Sequence, residues 1–584
     1  MVLKILLFAI FLISSSQAVR AEDEWYPFIF TQNPDPNSPF NMSKILLDAP
    51  AGKHGFLKVK GAKFYFSDGT PAKFWGTNLC FSACFPTKEE AEFIAERIAF
   101  FGFNAVRLHH MDSSLQPKGI FQDSSTLSKE QLEKLDYLIY QLKERGIYVN
   151  INLLVSRKFS FNDGVFDADK LGKAAKPVSM FDRSLITLQK KYAKDLLAHQ
   201  NPYTKMRYCD DPAIAFIEIT NENSLFLLEE QKLPDYYKYE LNKLRNEFET
   251  GNPGAADKDF YAYLENEYFN EMTKFLKNQA GIRVPITGIG GYRNAGDVKA
   301  QKNCGFIDKH AYWDHPKFPN ISWDENDFRM TNKSALLDPY LGVIGKIIQG
   351  HRDKSKPYTV SEWNHCYPNA YAYETPLLLS YFANKNNWQG LFQFAFSHAN
   401  EPETGVYAVS SYFDILANPQ QLILNTMASY IFLQSLKAKE NYLEKGVFKF
   451  ESKKLNAAVG FIKEKRISLG LLSVDSRQDG AVILSSADNL ALTRSKRLIL
   501  IVLGKVKNDG SYWKDSRFNW GKAPVLLQRM GTVISLKLKN EGYKVYALDE
   551  KGARKKEINS EYQTDTLTFS TSTADTPWFE ISSL

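Results

Sequence analysis

The chain has 584 residues, 44% of them hydrophobic and 24% charged, and its 73 basic against 66 acidic side chains leave a net charge of +7. This composition excludes wholesale disorder and a fibrous repeat, and a mean hydropathy of −0.35 excludes a polytopic membrane protein. The charges are interspersed rather than blocked, so no nucleic-acid partner is expected.

The N-terminus pairs Lys4 with an apolar run from Ile5 to Ile13, then places small residues at Ser16, Ala18 and Ala21. That is the pattern of a signal peptide over residues 1–21. The run is too short to span a bilayer, and no later stretch reaches the ~18 apolar residues of a membrane helix. The expectation is an exported chain, secreted or periplasmic, with no membrane partner after cleavage. Five cysteines (Cys80, Cys84, Cys209, Cys304 and Cys366) are too few for a disulfide scaffold and lack zinc-ligand spacing. Cys80 and Cys84 are placed either to bridge locally or to serve as small buried residues.

Residues 22–70 read as an N-terminal extension whose two strand-like runs, around Gly61 and Asp68-Gly69, form a hairpin. Over 71–435, strands and helices alternate. Strands are predicted at Lys73–Leu79, Asn104–His109, Ile147–Leu154, Ala213–Thr220, Val284–Ile289, Phe306–His310, Tyr358–Ser361 and Leu391–Phe396. Between them lie helical patterns at Thr87–Phe101, Ser128–Arg145, Phe181–His199, Lys258–Gln279, Leu336–Gln349 and Thr375–Asn386, and Pro419–Leu433 closes the series. Eight such units are the pattern of an α/β (β/α)8 TIM barrel. No Gly-rich phosphate loop follows the first strand, which argues against a doubly wound sheet. The stretch Asn223–Asp257 reads as an irregular, exposed insertion. Residues 436–584 change texture to short β-type runs between turns, and read as a C-terminal all-β sandwich.

A barrel gathers its active site at the carboxyl ends of its strands. The polar residues there are Asn78, Arg107 with His109-His110, Asn150 and Asn152, Asn221-Glu222, His310 with Tyr312 and Trp313, Glu362-Trp363 with His365, and His398. Two carboxylates stand out, because one emerging from an apolar strand costs desolvation unless it is paired or functional. Glu222 ends the run Ala-Ile-Ala-Phe-Ile-Glu-Ile-Thr-Asn, and Glu362 follows Tyr-Thr-Val-Ser. Glu218 shares the side-chain parity of Glu222 and is the competing, structural carboxylate. Two carboxylates facing each other across a sugar are what glycoside hydrolysis needs. Arg107, His310 and Tyr312 are placed to keep the second one ionised.

These residues resemble the catalytic pair of the clan A (β/α)8 retaining glycoside hydrolases, most closely the cellulase-like glycoside hydrolase family 5. Asn221-Glu222 on the fourth strand, Ser361-Glu362-Trp363 on the seventh, Arg107, and His310-x-Tyr312 carry the likeness, which spans roughly Phe74 to Ser435. The resemblance implies a double-displacement glycosidase acting on β-linked oligo- or polysaccharides without a cofactor or metal. It makes Glu222 the general acid/base and Glu362 the nucleophile. It assigns substrate binding to Arg107, His109, Asn221, His310, Tyr312, Trp313 and Trp363. The chain departs from that family at Asn152-Leu153, where a histidine is frequent, and at Phe394, Phe396 and His398, where a tryptophan platform is usual. Trp75, Trp313 and Trp363 are the candidate sugar platforms, with core packing as the other reading of each. A catalytically inactive carbohydrate-binding barrel and a metal-dependent barrel hydrolase are the alternatives.

Overall fold

A computed structural model describes residues 24–113, 119–123, 125–338, 343–348, 350, 353–399, 407–439 and 443–583. The signal-peptide segment lies outside the described residues. Eight parallel strands form the barrel: β1 (Phe74–Cys80), β2 (Ala105–His109), β3 (Tyr148–Asn152), β4 (Ile214–Asn221), β5 (Ile286–Gly290), β6 (Ile307–Trp313), β7 (Tyr358–His365) and β8 (Gly390–Ser397). They pair in the order β6-β7-β8-β1-β2-β3-β4-β5. The β5/β6 seam is bridged by Gly305 N–H donating to Ile286 C=O at 2.7 Å and Tyr292 N–H donating to Asp308 C=O at 3.2 Å.

Surrounding helices include α1 (Lys88–Phe100), α2 (Lys129–Glu144), α3 (Arg183–Leu197), α4 (Asp257–Asn278), α5 (Ala295–Ala300), α6 (Val343–Ile348), α7 (Thr375–Lys385) and α8 (Pro419–Leu433). Local chemistry fixes their starts. Thr87 and Glu90 make a reciprocal capping box at α1, and Ser128, Asp182 and Asn418 cap α2, α3 and α8. Eight barrel strands in the expected order, each followed by helical structure, bear out the (β/α)8 reading.

Three expectations change. The insertion after Glu222 is not irregular throughout, because Asp235–Gly251 is a helix that buries Tyr237 and Leu241. Strand β6 does not stop at His310 but runs on to Trp313, which pairs with His365 of β7. The helix predicted from Leu336 is described only over Val343–Ile348. Just ahead of it, the N–H groups of Ala335 and Leu336 donate to Glu374 Oε2 at 2.7 and 3.1 Å, a tie that replaces a first helical turn.

The amino end of the barrel is plugged by rings. Hairpin strands Leu57–Lys60 and Lys63–Phe66 set Phe64 and Phe66 beneath Phe74, Tyr148, Phe216, Phe306 and Phe392. Phe216 sits at the centre, 4.7 Å from Phe74, 5.3 Å from Phe64 and 5.5 Å from Phe306 between ring centroids. The C-terminal region is an eight-stranded and a five-stranded antiparallel sheet sharing one aliphatic core, as expected for a sandwich. Trp578 is buried on the opposite face of the eight-stranded sheet, ringed by Phe28, Phe30 and Phe40 of the N-terminal segment. That segment also adds strand Trp25–Pro27 to Lys522–Gln528, so the start of the chain is stitched to its end. All five cysteines are buried and free, including Cys80 and Cys84. No described helix is long and apolar enough to cross a membrane.

Candidate active site

Arg107 on β2 is the hub, and it is fully buried. Its Nε and Nη2 donate to Glu218 on β4 at 2.8–3.0 Å. Its Nη1 donates to Glu362 Oε1 at 2.8 Å and to Asn78 Oδ1 at 3.1 Å, and Nη2 also reaches Asn221 Oδ1 at 2.8 Å. A buried guanidinium is tolerated only with its donors used, and here strands β1, β4 and β7 all supply partners. Glu218 is thus the structural carboxylate. Burial pushes its pKa up, and Arg107 together with the amides of Asn150 and Asn152, both at 2.6 Å, holds the carboxylate in place. Gly290 closes β5 against this pair, because a Cβ there would lie 2.5 Å from Glu218 Oε2 and 3.0 Å from Arg107 Nη2.

Glu362 points into the mouth from β7. Besides Arg107 it accepts from the Tyr312 hydroxyl at 2.6 Å on Oε2, and His109 Nε2 stands 3.4 Å from Oε1. Burial and the neighbouring Arg107 charge push His109 well below the usual histidine range, so it is neutral. Its neighbour His110 leaves the strand with φ 57°, stacks on Phe81 at 4.1 Å and reaches Ser156 Oγ at 3.1 Å. The left-handed residue lets both histidines of the doublet reach the mouth, although strand alternation alone permits one.

Glu222 lies just past β4 at φ 45°, a conformation that is strained for a bulky residue. Its Oε1 is 2.9 Å from His310 Nδ1, and its Oε2 accepts from Arg293 Nη2 at 2.6 Å. Burial raises its pKa, but the His310 hydrogen bond and the charges of His310, Arg293 and Lys176 outweigh this and bring it down to about 2. His310 moves the other way. Burial lowers it, yet Glu362, Asp308 and Glu222 together raise it to about 9. The ring is held from behind by Ser361 Oγ at 2.9 Å, and Ser361 in turn donates to Asp308 at 2.7 Å. Gly291, at φ +75°, admits the ring, because a Cβ there would lie 2.4 Å from Nδ1.

Donor atoms of Glu222, His310 and Glu362 all lie within 4.8 Å of one another. The group does not fit a divalent cation. His310 has Nδ1 engaged by Glu222 and Nε2 by Ser361, and Arg107 and Arg293 already occupy carboxylate oxygens. The same geometry suits two carboxylates facing one reacting centre.

Seven of the predicted site residues (Glu222, Glu362, Arg107, His109, Asn221, His310 and Tyr312) are brought together. Two tryptophans are not. Trp363 is fully buried and packs on Trp75 at 5.7 Å, because it follows Glu362 and strand alternation turns it outward. Trp313 likewise alternates with Tyr312. Its indole N–H is spent on Lys333 C=O at 2.8 Å and its ring meets His365. Trp75 is also core, donating to Asn425 Oδ1 at 2.9 Å. His365 is buried on Thr375 Oγ1 at 2.8 Å, outside the mouth.

Sequence reasoning missed Asp308, Arg293, Lys176 and Asp414, the partner of His398. Asp308 was legible, since it alternates with His310 and Tyr312 on β6. Phe394 stands edge-on to Tyr312, His109 and His398 and forms the apolar wall of the mouth. Arg293 and Asp414 lie off the strands and carry no periodic signal.

No protein-family model and no curated protein matches the chain. Among solved structures, the chain is similar to an endo-1,4-β-mannanase from Rhizomucor miehei at 14% identity and TM-score 0.45, covering 65% of this chain and all (100%) of that one. An endo-β-1,4-mannanase from Thermotoga petrophila is similar at 17% identity and TM-score 0.42, over 74% of this chain and 94% of that one. A β-glucanase from Saccharophagus degradans is similar at 13% identity and TM-score 0.39, over 68% of this chain and 98% of that one.

Proposed function

We propose that this protein is a retaining glycoside hydrolase that cleaves β-linked glycans by double displacement, with Glu362 as nucleophile and Glu222 as general acid/base. The observation that carries the reading is the convergence of the pair on one point of the mouth, with an oxygen of each within 4.8 Å of the other and His310 Nδ1 at 2.9 and 3.4 Å from the two. Retaining enzymes hold the two groups ~5–5.5 Å apart, whereas inverting ones leave ~6.5–9.5 Å for an intervening water.

In the first step a Glu362 oxygen attacks the anomeric carbon. The bond to the leaving oxygen breaks, and Glu222 supplies that oxygen with a proton. In the second step water attacks the same carbon, Glu222 takes the water's proton, and the ester bond to Glu362 breaks. Arg107 and Tyr312 hydrogen-bond both oxygens of Glu362 and orient it. Asn221 spends its carbonyl oxygen on Arg107, which leaves its amide N–H as the donor for a sugar hydroxyl next to the reacting carbon. Phe394, rather than a tryptophan, offers the apolar face to that sugar. The proposed setting is outside the cytoplasm, with the mature N-terminus falling after Ala21.

The test is hydrolysis of a panel of β-linked poly- and oligosaccharides by the wild type beside Glu362→Gln. Turnover of at least one glycan, reduced by ~10⁴ or more in the variant, is expected. Equal turnover by both proteins, or none by either, refutes the assignment. In the second case a binding-only barrel or a linkage outside the panel becomes the better reading.

A further inference from the structure

Glu222 poses a problem for the reaction just described. A general acid must carry a proton before the leaving oxygen departs. Here both of its oxygens are taken by cations, Oε1 by His310 and Oε2 by Arg293. One cation must therefore let go when substrate binds. His310 is ill placed to do so, since its side chain is 5% exposed and its far nitrogen is fixed on Ser361. Arg293 is free to swing. It follows the Gly290-Gly291 turn, and its side chain is 45% exposed at the open side of Glu222.

The surroundings say what would draw it away. Lys176 is carried next to Glu222 by its own carbonyl, which accepts from Asn223 Nδ2 at 2.8 Å. Burial lowers the pKa of its side chain, while the nearby charges of Glu222, Asp112 and Glu362 oppose that shift. The open side of the acid/base thus presents a half-exposed guanidinium, with the Lys176 side chain in the same electrostatic field. Neutral hydroxyls would leave both charges beside an acid that has to become neutral. A carboxylate or sulfate would neutralise them, and the guanidinium fork matches either anion with two parallel hydrogen bonds.

We propose that Arg293, assisted by Lys176, is a specificity-determining residue that binds an anionic substituent, a uronic acid carboxylate or a sulfate ester, on the leaving-group sugar. Binding that anion moves Arg293 off Glu222 and lets the carboxyl take up its proton, so substrate charge switches the acid on. This rests on the assignment of Glu222 as acid/base, and it names the substrate class of that site.

The experiment uses matched β-linked oligosaccharides that differ only in charge: a uronate and its carboxyl-reduced counterpart, and a sulfated glycan and its desulfated counterpart. Binding is measured by calorimetry to the full-length Glu362→Gln protein, so no turnover is needed. kcat/KM is measured with the wild type, Arg293→Gln and Arg293→Lys. One charged member, carboxylate or sulfate, is expected to bind at least roughly tenfold tighter than its neutral partner. Arg293→Gln should erase that preference and Arg293→Lys should restore part of it. Equal binding within both pairs, or a preference that survives Arg293→Gln, overturns the inference even if neutral glycans are hydrolysed. Charge-dependent binding without hydrolysis of any glycan instead overturns the hydrolase reading and leaves the anion site standing.

Discussion

The two ends of the barrel are built from the same eight strands and could hardly differ more. At the amino end, Phe64, Phe74, Phe216, Phe306 and Phe392 meet ring to ring with no charge among them. At the carboxyl end, Arg107, Glu218, Asp308, His310 and Glu362 are all buried or nearly so, and each is held by at least one other charged or polar group. The apolar end gains stability from every ring it buries. The polar end gives up desolvation energy for a fixed arrangement of charge. A stable barrel needs only the first, so the second is where the chemistry is to be sought.

That contrast can be broken from either side. The largest effect is expected for Glu218→Gln, which strips Arg107 of its bidentate partner while leaving the guanidinium buried. Stability should fall by about 3–5 kcal/mol in chemical denaturation, and kcat/KM should fall with it because Arg107 also positions Asn221 and Glu362. Phe216→Ala at the opposite end should cost about 3–5 kcal/mol as well, through the cavity it opens, yet leave kcat at a permissive temperature unchanged. If kcat falls there too, the two ends are not separable.

A smaller effect sharpens the comparison through pH, because the polar end is held by the charged His310. His310 is raised from 6.5 to about 9 in the folded state. Its contribution to stability is therefore full below 6.5 and is lost as pH rises from there through about 9. A His310→Gln variant should lack this component, so its unfolding midpoint should decline less than that of the wild type over the same range. Parallel declines would show that His310 carries no such shift.

Much of this was legible in the sequence, and the reasons are physical. Alternating strands and helices with clear stops at Gly102 and Gly146 specify the barrel, because each helix must bury one apolar stripe on the sheet. Glu222, Glu362 and Arg107 stood out as charges on otherwise apolar strands. The errors came from the side chain next door. Trp363 and Trp313 lie beside Glu362 and Tyr312 in sequence, but strand alternation sends neighbours to opposite faces and puts both against the core. Arg293 and Asp414 were invisible for another reason. They sit on connecting segments, and only the closed barrel brings them to Glu222 and His398.

The measurement that tests the central claim most directly is proton NMR of the anomeric signal of the first-formed sugar during hydrolysis of a β-linked oligosaccharide. With Glu222 and Glu362 separated as they are, the β-anomer should appear first and the α-anomer only later, by mutarotation. Initial release of the α-anomer would mean inversion through an intervening water. It would contradict Glu362 as a nucleophile and the double displacement built on it.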